Sequence, residues 1–267
     1  MKEVPIALTI GGSDSGGGAG IQADLKTFAF HCVHGASVLT CVTAQNTMGV
    51  TAVGGMPIDL IEAQLEAVAT DMAIGAVKTG MLYQAPIVSA LTRKLVGMGF
   101  SRVVVDPVMV SRTGAKLLDE EAIGAIKTKL LPLALLITPN RYEAQLLTNQ
   151  AITTIDDMRR AAEEIYKMTG ARVLLKGGGM EKPLKGTDVY FDGERMEVLT
   201  AKPIDTLHTH GTGCTLSAAI AANLALGYSL WEAINRGKDY VTQAIGHSLA
   251  IGRGQGPVGH FFPLLAE

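Results

Sequence analysis

Charge is scarce in this 267-residue chain: 18 % of the residues are charged and the formal net charge is −2. There is no basic tail and no run of like charge, so nothing draws nucleic acid or an acidic membrane surface from a distance. Cysteine is scarcer. Cys32, Cys41 and Cys214 form an odd set without metal-ligand spacing, so a reduced, cytoplasmic setting is expected. Long apolar runs are missing too, the stretch 130–137 (LLPLALLI) being far shorter than the roughly 20 residues of a membrane helix. The first residues, MKEVPIALTIGGSDSGG, carry one lysine and an apolar run too short for a secretory signal. A soluble protein with neither nucleic-acid nor membrane partners is expected. No repeat, low-complexity segment or linker interrupts the chain, which makes residues 1–267 one expected domain.

What is present is apolar residue in a regular rhythm. Hydrophobic residues make up 48 % of the chain, enough for a sizeable core. Short runs at 4–10, 36–44, 73–80, 102–109, 134–140 and 172–178 end in glycine or polar residues and read as strands. Helical periodicity fills 19–32, 57–72, 84–97, 119–130, 140–148 and 155–169, and two further helices follow at 212–226 and 229–250. Continuous apolar strands alternating with helices predict an α/β fold, a mainly parallel sheet covered on both faces. Residues 187–204 differ: two alternating runs meet at Asp192-Gly193, a hairpin signal that predicts an antiparallel edge.

Ligands of open parallel sheets bind beyond the carboxyl ends of the strands. The chemically informative residues fall at those ends. GGSDSGGGAGIQAD (11–24) has six glycines in its first ten residues, which suits close approach to a ligand and suits a flexible turn equally. It is neither a Walker A loop nor a dinucleotide fingerprint. Asp24 reads alone as a solvated residue in the first turns of a helix. Gln45 offers an acceptor and donors that match a ring nitrogen beside an amine, or simply bond a nearby turn. Asp106 suits Mg²⁺ or a turn. Asn140 and Glu143 share a helix face, which suits a cation site or a helix cap. Lys176 follows a buried strand, where an anion would offset its desolvation.

HTHGTGCT (208–215) opens a long helical run. Gly211, Thr212, Gly213 and Cys214 at a helix N-terminus make an anion hole, to which the Thr212 and Thr215 hydroxyls add donors. The same field is expected to lower the Cys214 pKa and favour the thiolate. Three roles compete for this cysteine: a nucleophile paired with His208 or His210, a small buried residue, or a neighbour of the acceptor hydroxyl in phosphoryl transfer.

Together these segments resemble the hydroxymethylpyrimidine/phosphomethylpyrimidine kinases of thiamine biosynthesis, within the ribokinase-like superfamily. The resemblance rests on GGSDSGGGAGIQADLKTF (11–28), VTAQNT (42–47), KTGML (78–82), VVDPVM (104–109), LLPLALLITPNRYEA (130–144), LLKGG (174–178) and THGTGCTLSAAIA (209–221). It implies a ribokinase-like fold and two successive ATP-dependent phosphorylations, of an alcohol and then of its monophosphate. By position, Gln45 would pair with the aminopyrimidine, with Gly12, Asp24, Met81 and Val108 around it. Asp106, Asn140 and Glu143 would organise Mg²⁺ and the phosphates, Lys176 would touch the ATP phosphates, and the Gly211–Gly213 amides would form the anion hole beside Cys214. A homodimer is implied. The glycine-rich segment 177–186, GGGMEKPLKG, is itself a candidate for a mobile flap over ATP. Two positions depart from the family pattern: Gly179 and Arg253 stand where histidine is common. A vitamin B6 kinase on the same scaffold, a non-catalytic pyrimidine or ATP sensor, and a thiol hydrolase are the alternatives.

Overall fold

The computed structural model describes residues 4–110, 117–181, 184–202 and 204–265. Among the described residues nine strands form one sheet: β1 (Ile6–Asp14), β2 (His34–Asn46), β3 (Gly49–Gly55), β4 (Ala76–Thr79), β5 (Val103–Val105), β6 (Leu136–Ile137), β7 (Arg172–Leu175), β8 (Thr187–Phe191) and β9 (Met196–Thr200). Their order is β3-β2-β1-β4-β5-β6-β7-β8-β9. From β2 through β7 every pairing is parallel, whereas β3 joins β2, β8 joins β7 and β9 joins β8 antiparallel. The sheet is therefore antiparallel at both ends, not at one. The predicted hairpin forms, with Gly193 at φ +104° in its turn. The other antiparallel edge, β3, escapes a sequence reading because three of its seven residues are glycine and it is largely exposed.

The helices are α1 (Gly20–Phe30), α2 (Ile58–Asp71), α3 (Ala85–Gly97), α4 (Glu120–Ala125), α5 (Arg141–Thr148), α6 (Ile155–Thr169), α7 (Thr212–Ala225) and α8 (Leu230–Gly246). The helix expected over 119–130 is α4 continued by a π-helical turn, Ile126–Leu130. The last predicted helix stops at Gly246 rather than 250.

Strand side chains alternate between two cores, as the pleat requires. Leu8, Val77, Val105, Ile137 and Val173 pack with residues of α2 to α6 on one face. Ala7, Ala76, Val104, Leu136 and Leu174 meet α1, α7 and α8 on the other. Helix α7 is buried without a break from Thr215 to Leu224, which explains its lack of a polar face. Four of those residues are alanine (218, 219, 221 and 222). Their small side chains let α7 lie close to the sheet, so its N-terminus is held at a fixed height above the strand ends.

Candidate active site

Strand β1 is flanked by β2 on one side and β4 on the other, so the chain reverses direction across the sheet there and leaves a crevice beyond the carboxyl ends. The glycine-rich segment lines that crevice, and Asp14 shapes it. Asp14 Oδ1 accepts from the Gly16 amide at 2.8 Å, and Oδ2 accepts from those of Gly18 and Ala19 at 3.0 and 2.8 Å. His210 Nε2 lies 3.0 Å from the same oxygen. Burial works to raise the Asp14 carboxyl, but His210 and these amides outweigh it and hold it below its ordinary value. At Gly18 a Cβ would stand 2.4 Å from His210 Cδ2. At Gly211, with φ +79°, it would stand 1.8 Å from the Gly18 carbonyl oxygen. Glycine at these two positions knits the first motif to the last.

Gln45 ends β2 at the crevice, half-buried. Its Oε1 lies 3.1 Å from Thr43 Oγ1 and its Nε2 lies 3.3 Å from His210 Nε2. Gly12 and Met81 are neighbours, since a Cβ on Gly12 would stand 3.1 Å from the Met81 methyl carbon. Val108 is half-buried just past β5, its amide donating to the Asp106 carbonyl at 2.8 Å. Asp24 lies beneath this floor. It is fully buried, bound to Lys78 Nζ at 2.7 Å and to Thr9 Oγ1 at 2.6 Å. The solvated-helix reading of Asp24 is thus corrected: its helix turns it inward.

On the other side of α7, Lys176 Nζ donates to Asp106 Oδ1 at 2.7 Å. A Cβ on Gly213 would stand 3.2 Å from that Nζ and 3.8 Å from Asp106 Oδ2. Three sequence-distant segments therefore converge on the start of α7. Among the described residues no side chain caps this helix, and although the Thr212 amide donates to the Thr209 carbonyl at 3.3 Å, the start of the helix still presents the Gly213 amide to an anion. The threonine hydroxyls do not join them. Thr212 Oγ1 donates to the Thr209 carbonyl at 2.8 Å and Thr215 Oγ1 to that of Gly211 at 2.9 Å, which corrects their expected role as donors in the anion hole.

Asn140 and Glu143 form a capping box at α5. Asn140 Oδ1 accepts from the amides of Tyr142 and Glu143, and Glu143 Oε2 accepts from the Asn140 amide at 2.7 Å. Burial raises the Glu143 carboxyl and the Asp106 charge adds to this, against the pull of Lys176. Among the described residues no three His, Cys, Asp or Glu side chains converge as a metal cage. The donor chemistry fits a cation carried mainly by phosphate and water, with carboxylates at its margin, the usual habit of Mg²⁺.

Cys214 is half-buried, near Lys78, Asp24, Asp106 and the Gly20 amide. Burial pushes its thiol up to about 11, and Asp24 and Asp106 oppose the lowering pull of Lys78. The expected thiolate is corrected to a neutral thiol. Neither histidine of the motif partners it among the described residues. His208 Nδ1 accepts from the Gly256 amide at 3.0 Å, and His210 is held by Asp14 and Gln45. The nucleophile-and-base arrangement is absent there.

Two residues without a role in the sequence reading belong to this site, Asp14 and Lys78, and His210, expected as a possible partner of Cys214, holds Asp14 instead. Lys78 had a signal, a lysine inside a four-residue strand that is buried throughout. The segment 177–186, expected as a flap, includes residues 182 and 183, which lie outside the described residues. At its start the Gly177 amide is fixed by Asp188 at 2.9 Å.

Comparison with known proteins finds relatives along nearly the whole chain. The family model for phosphomethylpyrimidine kinase matches residues 14–259. A hydroxymethylpyrimidine/phosphomethylpyrimidine kinase of Synechococcus elongatus is 54 % identical over 98 % of this chain and 99 % of its own. Its counterpart in Bacillus subtilis is 46 % identical over 96 % and 94 %. Among solved structures, an ADP complex of Bacillus subtilis pyridoxal kinase superposes with a TM-score of 0.91 at 39 % identity, covering 99 % of this chain and 100 % of that one. A phosphomethylpyrimidine kinase of Clostridium difficile 630 gives 0.81 at 42 %, covering 91 % and 100 %. With the family model spanning the glycine-rich segment from Asp14 onward and the start of α7, the chain belongs to the phosphomethylpyrimidine kinase family.

Proposed function

We propose that the protein is an ATP-dependent kinase that phosphorylates 4-amino-5-hydroxymethyl-2-methylpyrimidine to its monophosphate and then to the diphosphate, in thiamine biosynthesis. The carrying observation is the convergence of Lys176 and Asp106 on Gly213, at the uncapped start of α7. Charge on a phosphoryl group in flight is stabilised there by an ammonium and by helix amides. Residues 1–267 act as one kinase domain. The exposed Val42, Met48 and Val50 around the β2–β3 edge support self-association into a cytoplasmic homodimer.

Gln45 holds the pyrimidine, with Gly12, Met81 and Val108 about the ring and Asp24 below. Lys176 takes the ATP phosphates, and Gly211 and Gly213 supply backbone amides, with the Thr212 amide joining them when it leaves its 3.3 Å bond to the Thr209 carbonyl. Magnesium would be held at the phosphates by Asp106 and Glu143, with Asn140 beside them, and supplies neutralisation of phosphate charge. Cys214 faces the acceptor as a neutral thiol, which repels neither an alcohol nor a monophosphate. The second acceptor is already anionic near neutral pH and needs no general base.

A vitamin B6 alcohol is a second acceptor to test, because the fold matches solved pyridoxal kinases closely. The deciding experiment incubates the protein with Mg²⁺-ATP and the hydroxymethylpyrimidine and follows products by mass spectrometry. Monophosphate followed by diphosphate is expected. Binding of the pyrimidine without either product would overturn the reading in favour of a sensor.

A further inference from the structure

The contacts around Gln45 conflict when their protons are counted. Thr43 has a single hydroxyl proton, and the Ser13 carbonyl takes it at 2.8 Å. The 3.1 Å contact from that hydroxyl to Gln45 Oε1 then joins two acceptors. His210 Nε2 faces Asp14 Oδ2 at 3.0 Å, and that oxygen already accepts two backbone amides. The carboxylate is therefore an acceptor, and Nε2 must carry the proton whatever the state of the other ring nitrogen. The 3.3 Å contact from Gln45 Nε2 to His210 Nε2 then joins two donors. One half-turn of the carboxamide removes both conflicts, because the oxygen then shares the His210 Nε2 proton with Asp14 Oδ2 in a three-centre bond and the nitrogen donates to the Thr43 lone pair.

We infer that His210, held by Asp14, sets the Gln45 carboxamide with its oxygen toward His210 and its nitrogen toward Thr43, and so determines which way round a substrate ring binds. His210 is a positioning residue here, not a catalytic one. The protein takes one acceptor site and one donor proton of the amide, which leaves one of each for a ligand in a fixed order. A ring nitrogen must lie on the Thr43 side and an adjacent amine on the His210 side. This step rests on the aminopyrimidine reading above. In that substrate the hydroxymethyl group follows the amine around the ring, so it falls on the side of Gly211–Cys214, the residues after His210. The opposite amide orientation would bind the ring reversed and carry the hydroxymethyl group away from the start of α7. A pyridine alcohol without an amine beside its ring nitrogen gains nothing from this order.

The first test needs no substrate. In the ligand-free protein, nuclear Overhauser effects from the Gln45 side-chain amide protons are expected to the Thr43 methyl group, and His210 Nε2 is expected to be the protonated ring nitrogen. Effects to the His210 ring protons instead would overturn the inference. The second test compares His210→Phe with the unaltered enzyme on both alcohols. The KM for the aminopyrimidine is expected to rise about tenfold more than that for the pyridine alcohol, the usual value of one hydrogen bond, with kcat changing less than KM. A rise shared equally by both alcohols would mean that His210 only braces the Asp14 loop, and would overturn its role in specificity. If the unaltered enzyme does not phosphorylate the aminopyrimidine at all, the functional reading fails, and the Overhauser effects still decide the amide orientation.

Discussion

Two lysine–aspartate pairs stand on either side of the same helix end, and they are made to different ends. Lys78–Asp24 and Lys176–Asp106 are both 2.7 Å ion pairs near Cys214. Lys78 and Asp24 are each 1 % exposed, whereas Lys176 is 12 % exposed and Asp106 3 %. Burial opposes the charge on both lysines, but their carboxylates outweigh it and raise both. The sealed pair has nowhere to send its ammonium, so it acts as a fixed part of the floor. The pair that reaches the crevice can trade a carboxylate for a phosphate. Similar residues at similar distance thus divide into a fixed charge and an exchangeable one, and burial makes the division.

The largest expected effect breaks the sealed pair. Lys78→Met leaves a carboxylate buried without its partner, which costs roughly 3–5 kcal/mol and lowers the melting temperature by about 10 °C. Calorimetry checks this, with Lys78→Met/Asp24→Asn expected to recover most of the loss. An unchanged melting temperature in the single variant would mean that the pair is not an isolated unit. Next comes a third carboxylate between the two pairs, because both lysines are already matched. Cys214→Asp would repel an incoming monophosphate at ~4 Å by roughly 4 kcal/mol at an intermediate dielectric. Initial rates with each acceptor are expected to show the second phosphorylation falling on the order of 100-fold or more, with the first within about tenfold. A second step left unharmed would refute the repulsion argument. The exchangeable pair answers in the opposite currency to the sealed one. Lys176→Met is expected to lower kcat by about 100- to 1000-fold while costing only about 1–2 kcal/mol of stability, because Asp106 keeps Thr138 and Ser217, both at 3.3 Å. Equal stability losses in Lys78→Met and Lys176→Met would erase the distinction.

This contrast also marks what a sequence discloses. The strands β1, β4, β5, β6 and β7 were legible as apolar runs, and the residues at their ends, Asp106 and Lys176 among them, were legible as chemistry. The pairing of Lys78 with Asp24 was not, because the two are 54 positions apart and only the turn of α1 brings them together. The spacing of Asn140 and Glu143 was visible, but spacing alone does not choose between a cation and a cap, and only the fold shows that the cap forms. The Cys214 pKa moves in the direction opposite to the one its place at a helix N-terminus predicts. A helix N-terminus is evident from sequence, whereas the burial and the two neighbouring carboxylates that overrule it depend on the fold.

The smallest effect concerns the support beneath the anion hole, shared by both pairs. His260 is buried with Nε2 2.9 Å from Thr215 Oγ1, in the first turns of α7. Burial lowers its pKa from 6.5 to about 4, with Lys26 adding to the effect. The folded chain keeps this imidazole neutral where the unfolded chain would protonate it. Its contribution is therefore complete above pH 6.5 and is lost as pH falls from 6.5 toward 4, up to about 3 kcal/mol in all. Denaturant titrations of the enzyme and of His260→Gln across that window provide the check. The variant is expected to be less stable at pH 7 but flatter toward acid, so the two curves converge near pH 4. Parallel curves would locate the acid sensitivity elsewhere. Because His260 contacts neither lysine pair, its loss is expected to shift both Lys78→Met and Lys176→Met by the same amount, leaving their difference intact.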